Sequence, residues 1–466
     1  MTEVRRPAGG RAGADASGSS ELAGRVASLL PELVHGLKQL VRIPSVASAG
    51  FPVEPLVEAH DLVAALLRGA GVERVDSLAI EGVRAPIVVG ALPGPPGSPT
   101  VLLYTHYDVV PAGDAELWRT PPFEPVERDG AIHGRGVADS KANIMAIIGA
   151  LRVFDGEPPV GIKVIVEGEE EVGGPFDGYP VTAPELFQAD AMIIADVGSV
   201  RPGVPTLTTA LRGSAQVEVA IRTLAGDKHS GSFGGAAPDA RVALMQVLAS
   251  LHDAAGDVAV PGLRREAWSG ADYPEAEFRT LSEVADGVPL MGTGSLGERL
   301  WSGPAITVVG IDAPPTTAPI NSVAGTAKAT LNLRVHPGQP AAEAQAALVN
   351  HLRAQRPFGI GVEVTAGEVG DGYAAMLDGP GYQSAMLALQ RAWGAAPQRA
   401  AMGGSIPLVM ALHSAVPAAE KLLFGATDGY ANIHAPNERV LLDELAKTVA
   451  AYAWFVKEYA QRVRRS

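Results

Sequence analysis

Three short apolar runs in this chain each lead directly into acids or histidine. Residues 101–104 run into Thr105-His106-Tyr107-Asp108, residues 163–166 into Glu167-Gly168-Glu169-Glu170-Glu171, and residues 192–195 into Asp196. Between the first two lies a helical stretch, 143–154. Short buried strands alternating with helices point to an α/β layer with a mostly parallel sheet. Open sheets of that kind gather their functional groups at the carboxyl ends of the strands. The chemistry and the fold class are therefore read from the same residues.

The pattern extends both ways. Leu22, Val26, Leu29, Leu30, Leu33, Val34, Leu37 and Leu40 recur at helical spacing, with Pro31 expected to bend or split the helix. A second amphipathic stretch covers 57–67, and 85–92 reads as a strand before the turn PGPPGSP. Residues 161–166 and 191–194 read as buried strands. From 208 to 222 the residues alternate as in a half-exposed strand. A helix at 240–251, a polar stretch without period at 253–299 and a second alternating run at 325–335 follow. That middle region reads as an inserted α+β domain with an antiparallel sheet. Helices at 386–394 and 442–456 close the chain. The expected layout is a disordered tail at 1–20, a catalytic α/β domain from 21–208 and 372–466, and a lid or dimerisation domain at 209–371.

The net charge of −14 disfavours nucleic acid and anionic membranes as partners. The first twenty residues lack the apolar centre of a secretory signal, so a cytoplasmic location is expected. The chain has no cysteine, so any metal must be held by His, Asp and Glu.

Each candidate group has a bland explanation when taken alone. His106-x-Asp108 could be a solvated turn, although Asp108 is also placed to fix the tautomer of a ligating His106. Asp139, in His133-Gly-Arg-Gly-Val-Ala-Asp-Ser-Lys141, could simply cap the next helix. The acids at 169–171 could be a solvated loop, but three carboxylates after a buried strand are costly to assemble without cations. Asp196 and His434 add one group each. Two histidines and several carboxylates without thiolates suit zinc, manganese or cobalt better than calcium or magnesium.

In combination the motifs THYDVVP, GRGVADSK, EGEEEVGG, IIADVG, DKHSGSFGG, GGSIP and HAPNER are specific. From about residue 21 onward they resemble the dinuclear metallopeptidase family of carnosine dipeptidases, aminoacylases, glutamate carboxypeptidases and succinyl-diaminopimelate desuccinylases. The length of 253–299 resembles the carnosine-dipeptidase branch. The resemblance implies two divalent ions per subunit, zinc first and manganese or cobalt as alternatives. Asp139 would bridge them, with His106 and Asp196 completing one ion and Glu171 and His434 the other. Glu170 would be the general base acting on a water between the ions, and Asp108 would orient His106. A cis peptide at Asp139-Ser140 is also implied. His229 would reach the substrate carbonyl across a homodimer, and Arg334 would clamp the substrate carboxylate. Asn321, Gly404 and Ser405 fall at further substrate-contact positions. Two departures stand out: Ala401-Met402 precede GGSIP where relatives often have Arg-Glu, and Ser140 stands where an Asp is common.

The implied activity is hydrolysis of dipeptides or similar small substrates with a free carboxylate. The alternatives are an N-acyl amino acid deacylase or desuccinylase on the same scaffold and, in another class, an inactive binding protein on this fold.

Overall fold

The computed structural model describes residues 11–404 and 406–464. The chain divides into two compact units, one formed by residues up to 208, 375–399 and 411 onward, the other by Thr209–Ala374 and Ala400–Met410. Residues 400–410, which carry Gly404, thus group with the inserted unit.

The first unit is built on a mixed sheet. Its strands follow the order Arg74–Leu78, Ile87–Leu92, Gly161–Glu167, Thr100–His106, Ala191–Ile194, Glu420–Leu423 and Thr206–Leu211. The four central strands, Gly161–Glu167 to Glu420–Leu423, run parallel. The flanking strands are antiparallel. The central strands are buried along nearly their whole length, as expected when helices cover both faces. Parallel pairing makes these strands end together: His106 stands opposite Glu167, and Tyr104 opposite Ile194.

The helix Ala142–Val153 is buried all round except at Arg152. It shares one core with the helices Arg11–Arg42 and Leu442–Val463. The first of these runs through Pro31 without a break. Proline removes only one backbone donor, while Leu33, Leu37 and Leu40 beyond it are fully buried and hold the helix in place. This helix starts at Arg11, inside the stretch read as a tail; residues 1–10 lie outside the described residues. No helix among the described residues is long and apolar enough to cross a membrane.

The second unit carries a four-stranded antiparallel sheet in the order Ala305–Ile311, Thr326–Val335, Gly213–Arg222, Glu363–Gly370. Alternate residues such as Val217, Val219, Leu331 and Leu333 point into a core shared with Leu244 and Leu348 of the helices Ala240–Ala249 and Ala341–Ala354. The stretch 253–299 has little regular structure beyond the short helix Glu275–Leu281. It is tied by Arg265, which pairs with Asp257 at 2.5 Å and Glu298 at 2.6 Å. The alternation at 208–222 is two strands and not one: Thr206–Leu211 and Gly213–Arg222 are separated at Arg212.

Candidate metal centre

His106 is the last residue of its strand, and its side chain is fully buried. Its Nδ1 lies 3.3 Å from Asp108 Oδ1 and 3.2 Å from the Asp108 carbonyl oxygen. An imidazole held in this way presents Nε2 forward. That atom lies 2.9 Å from Asp139 Oδ1 and 3.0 Å from Asp196 Oδ1. Asp108 has a second task that its position in the sequence does not reveal. Its two oxygens accept the backbone N–H groups of Glu170 and Glu171, each at 3.1 Å. One buried carboxylate therefore orients the histidine and the Glu170-Glu171 turn together.

Asp139 sits in the kinked turn Val137–Lys141 with φ −118° and ψ 90°, and its peptide bond to Ser140 is cis. It does not cap the following helix, which begins at Ala142. The turn is clamped by Glu438, whose carboxylate accepts N–H groups of Gly136 (2.9 Å), Ala138 (2.9 Å) and Asp139 (3.1 Å) and a bond from Arg135 Nη1 (2.8 Å). Gly136 has φ 75°, and a Cβ there would lie 2.1 Å from Val109 Cγ1, so both conformation and space demand glycine. Ser140 is fully buried, with Oγ 2.8 Å from Thr105 Oγ1 and donating to the Ala195 carbonyl at 3.0 Å. A neutral hydroxyl thus joins the turn to the neighbouring strands.

The two oxygens of Asp139 face different histidines. Oδ1 meets His106, while Oδ2 lies 3.2 Å from His434 Nε2. His434 has φ 60° and is also 2.9 Å from Glu171 Oε2. The cluster therefore has two lobes around one shared carboxylate, His106 with Asp196 and His434 with Glu171. Ligand-capable atoms of His106, Glu170 and Asp196 lie within 4.8 Å of one another, as do those of His106, Asp139 and Glu171. Proximity alone would thus also allow Glu170 to be a ligand.

The electrostatics show why cations suit this place. Burial, then the charges of Asp196 and Glu171, push Glu170 up to about 9. Burial also raises Glu171 and Asp196. Burial would raise Asp139 too, but hydrogen bonds from His106 and His434 outweigh it and hold Asp139 below the usual carboxylate range. Hydrogen bonds to Asp139 and Glu171 push His434 up to about 10. Carboxylates raised by burial and by one another's charge favour a nearby cation, and the imidazole and carboxylate donors are the right type for divalent ions.

The remaining sequence candidates lie in the second unit. His229 is exposed in the strand Lys228–His229, which pairs with Ser322–Val323. The N–H of Ser230 bonds the Asn321 carbonyl at 3.1 Å, so His229 and Asn321 belong to one small ladder. Arg334 lies on the face of its strand opposite the buried Leu333 and Val335. A Cβ on Gly404 would meet nothing within 4 Å, and Ser405 lies outside the described residues.

Glu438 was legible only as part of HAPNER. Replacing it with alanine should strand the buried Arg135 and three amides, costing about 3–5 kcal/mol. Urea unfolding with chelator present, which removes any contribution from metal loss, should show the midpoint falling. Glu438→Gln should fall less, because it keeps an acceptor. A midpoint unchanged in Glu438→Ala would show that the clamp does not support the turn.

Residues 102–458 match peptidase family M20/M25/M40. The chain is 42% identical over 372 residues to the cysteinylglycine-S-conjugate dipeptidase of Corynebacterium striatum, covering 78% of this chain and 82% of that one. It is 27% identical over 451 residues to the beta-Ala-His dipeptidase of Rattus norvegicus, covering 88% and 89%. Human carnosine dipeptidase 1 shares the fold at a TM-score of 0.76, with 25% identity over 95% of this chain and 99% of that one. The di-peptidase Dug1p of Saccharomyces cerevisiae also superposes at 0.76, with 21% identity over 95% and 98%. The family match spans the strand ends, turn and loop that carry every member of the acid–histidine cluster, from His106 to His434, and the chain is a metallopeptidase of family M20/M25/M40.

Proposed function

We propose that this chain is a dipeptidase working with two divalent ions, held by His106 and Asp196 on one side and by Glu171 and His434 on the other, with Asp139 shared. The observation that carries this reading is Asp139, whose two oxygens face two separate histidines at 2.9 and 3.2 Å. The donor set favours zinc, with manganese or cobalt as alternatives. When bound, the ions would polarise the scissile carbonyl and acidify water.

The protein's own groups do the rest. Glu170 takes the proton of the attacking water and passes it to the leaving amine. Its side chain stands within 4.8 Å of ligand-capable atoms of His106 and Asp196, so it borders the place where that water would sit. Asp108 keeps His106 and the Glu170 backbone in register. His229 meets the carbonyl oxygen as negative charge develops there; its exposure is consistent with service to a neighbouring subunit in a homodimer, which sedimentation would detect. Arg334 holds the substrate carboxylate, and Asn321, Gly404 and Ser405 make further substrate contacts.

The names of the relatives favour dipeptides, with S-conjugates of Cys-Gly ahead of beta-Ala-His because the more similar of the two relatives is named for the former. The test is a panel of Cys-Gly, an S-substituted Cys-Gly, beta-Ala-His, N-acetyl amino acids and succinyl-diaminopimelate, with metal content measured alongside. Dipeptides should lead, chelation should abolish turnover, and zinc, manganese or cobalt should restore it. Faster turnover of the N-acyl substrates would replace this reading with a deacylase. No turnover of any substrate with any of the metals would leave a binding protein.

A further inference from the structure

Arg212 interrupts the chain between the strands Thr206–Leu211 and Gly213–Arg222, and only 7% of it is exposed. Its backbone N–H bonds the Met402 carbonyl at 3.1 Å, which ties it to the segment leading into Gly403-Gly404. Its guanidinium is divided in its use. Nη1 donates to the Gly303 carbonyl at 3.3 Å. Nε is buried without a partner, and Nη2 bonds no described residue. Nε and Nη2 form the edge that can grip a carboxylate through two parallel hydrogen bonds.

Two observations show where this edge looks and what it lacks. A Cβ on Gly403 would lie 3.0 Å from Nη2, so the glycine lets the loop backbone approach the guanidinium closely. The second cation at the site is Arg334, two register positions away, opposite Ser214 on the neighbouring strand. Burial and then the charge of Arg334 push Arg212 down to about 10. Among the described residues, neither arginine forms an ion pair with an acid. A buried guanidinium cannot escape its cost by losing a proton at neutral pH. Two neighbouring cations without an anion are therefore unfavourable in the unliganded protein. A methionine at 212 would fill similar space without that cost.

We infer that Arg212 and Arg334 together form a two-guanidinium site for the C-terminal carboxylate of the substrate, with the free Nε–Nη2 edge of Arg212 as its buried half and Gly403-Gly404 as its wall. This deepens the dipeptidase reading and rests on it. Arg212 is then a specificity-determining residue: it makes the enzyme require a free carboxylate, and so excludes peptide amides and internal peptide bonds. The site also lies directly beside Met402, whose carbonyl accepts the Arg212 N–H.

The experiment compares Ala-Gly with Ala-Gly amide in the metal-loaded wild type, Arg212→Met and Arg212→Lys. Loss of a charge-assisted pair should raise KM for Ala-Gly by about 10–100-fold in Arg212→Met, with little change in kcat. The acid-to-amide ratio of kcat/KM should fall by a similar factor, and Arg212→Lys should fall between. Arg212→Met should melt at or above the wild-type temperature, because it removes an unpaired buried charge. An unchanged acid-to-amide ratio in Arg212→Met would overturn the proposal, and a lowered melting temperature with it would assign Arg212 to packing. If the wild type cleaves no dipeptide, the dipeptidase reading fails by itself. Calorimetry with N-acetylglycine and N-acetylglycinamide then decides the carboxylate site: loss of the acid's advantage in Arg212→Met supports it, and equal heats in variant and wild type overturn it.

Discussion

Glutamine at position 170 should leave both ions bound while lowering kcat by about 10²–10⁴-fold, the range set by loss of a positioned proton acceptor. The replacement is nearly isosteric, and its backbone N–H can still bond Asp108 Oδ1 as Glu170 does at 3.1 Å. The turn should therefore keep its shape, and Glu171 should keep its contact with His434. What is lost is the ability to take up a proton. Steady-state kinetics and elemental analysis on one preparation separate the possible roles. Glu170 lies close enough to His106 and Asp196 to share an ion with them, all three offering atoms within 4.8 Å. If it were a ligand, Glu170→Gln would lose metal along with activity. If it were neither ligand nor base, kcat would survive, and the assignment of the base would fail. KM should change little, because Glu170 is asked to act on water and on the leaving amine, not to hold the substrate.

The meeting of these acids and histidines was legible in the sequence because parallel strands carry their register with them. Once residues 100–106, 161–167 and 191–194 are neighbours in one parallel sheet, His106, Glu170, Glu171 and Asp196 must emerge at one edge. What stayed hidden shares a different property: the partners are far apart in the chain, and the pairing leaves no periodic trace. Glu438 holds amides 302 and 299 residues away, at Gly136 and Asp139, yet in the sequence it is one more acid in a polar loop. Arg212 was hidden by a pattern that looked complete. The alternation at 208–222 runs through it, and only the structure shows two strands that part there. The edge strand Ala305–Ile311 was missed because its residues are mostly exposed on both faces, so period-two alternation cannot mark it. The continuity of the helix through Pro31 depends on tertiary packing, which a local rule does not weigh.

Alanine at position 139 should remove metal from both lobes at once, because the two oxygens of Asp139 are divided between His106 and His434. Taking away one partner of a buried charge contact costs about 3–5 kcal/mol. Applied to each ion separately, that is about 10²–10⁴ in affinity. Elemental analysis after dialysis against buffered metal should therefore find well under one equivalent of each ion, and turnover should fall to background. The turn itself should survive, because Glu438 and Gly136 hold it through the backbone and not through the Asp139 carboxylate. A near-ultraviolet circular dichroism spectrum matching chelated wild type would confirm that metal loss is not unfolding. Loss of a single equivalent, with the other retained, would place Asp139 on one ion only. Full retention of both would remove it from the centre altogether. Glutamate at the same position makes the complementary measurement. It restores the charge but carries it one methylene further into a cluster where His106 and Asp196 already stand within 3.0 Å. Metal should then return only in part, and turnover less than metal, because a carboxylate shared by two ions would set their spacing as well as their affinity.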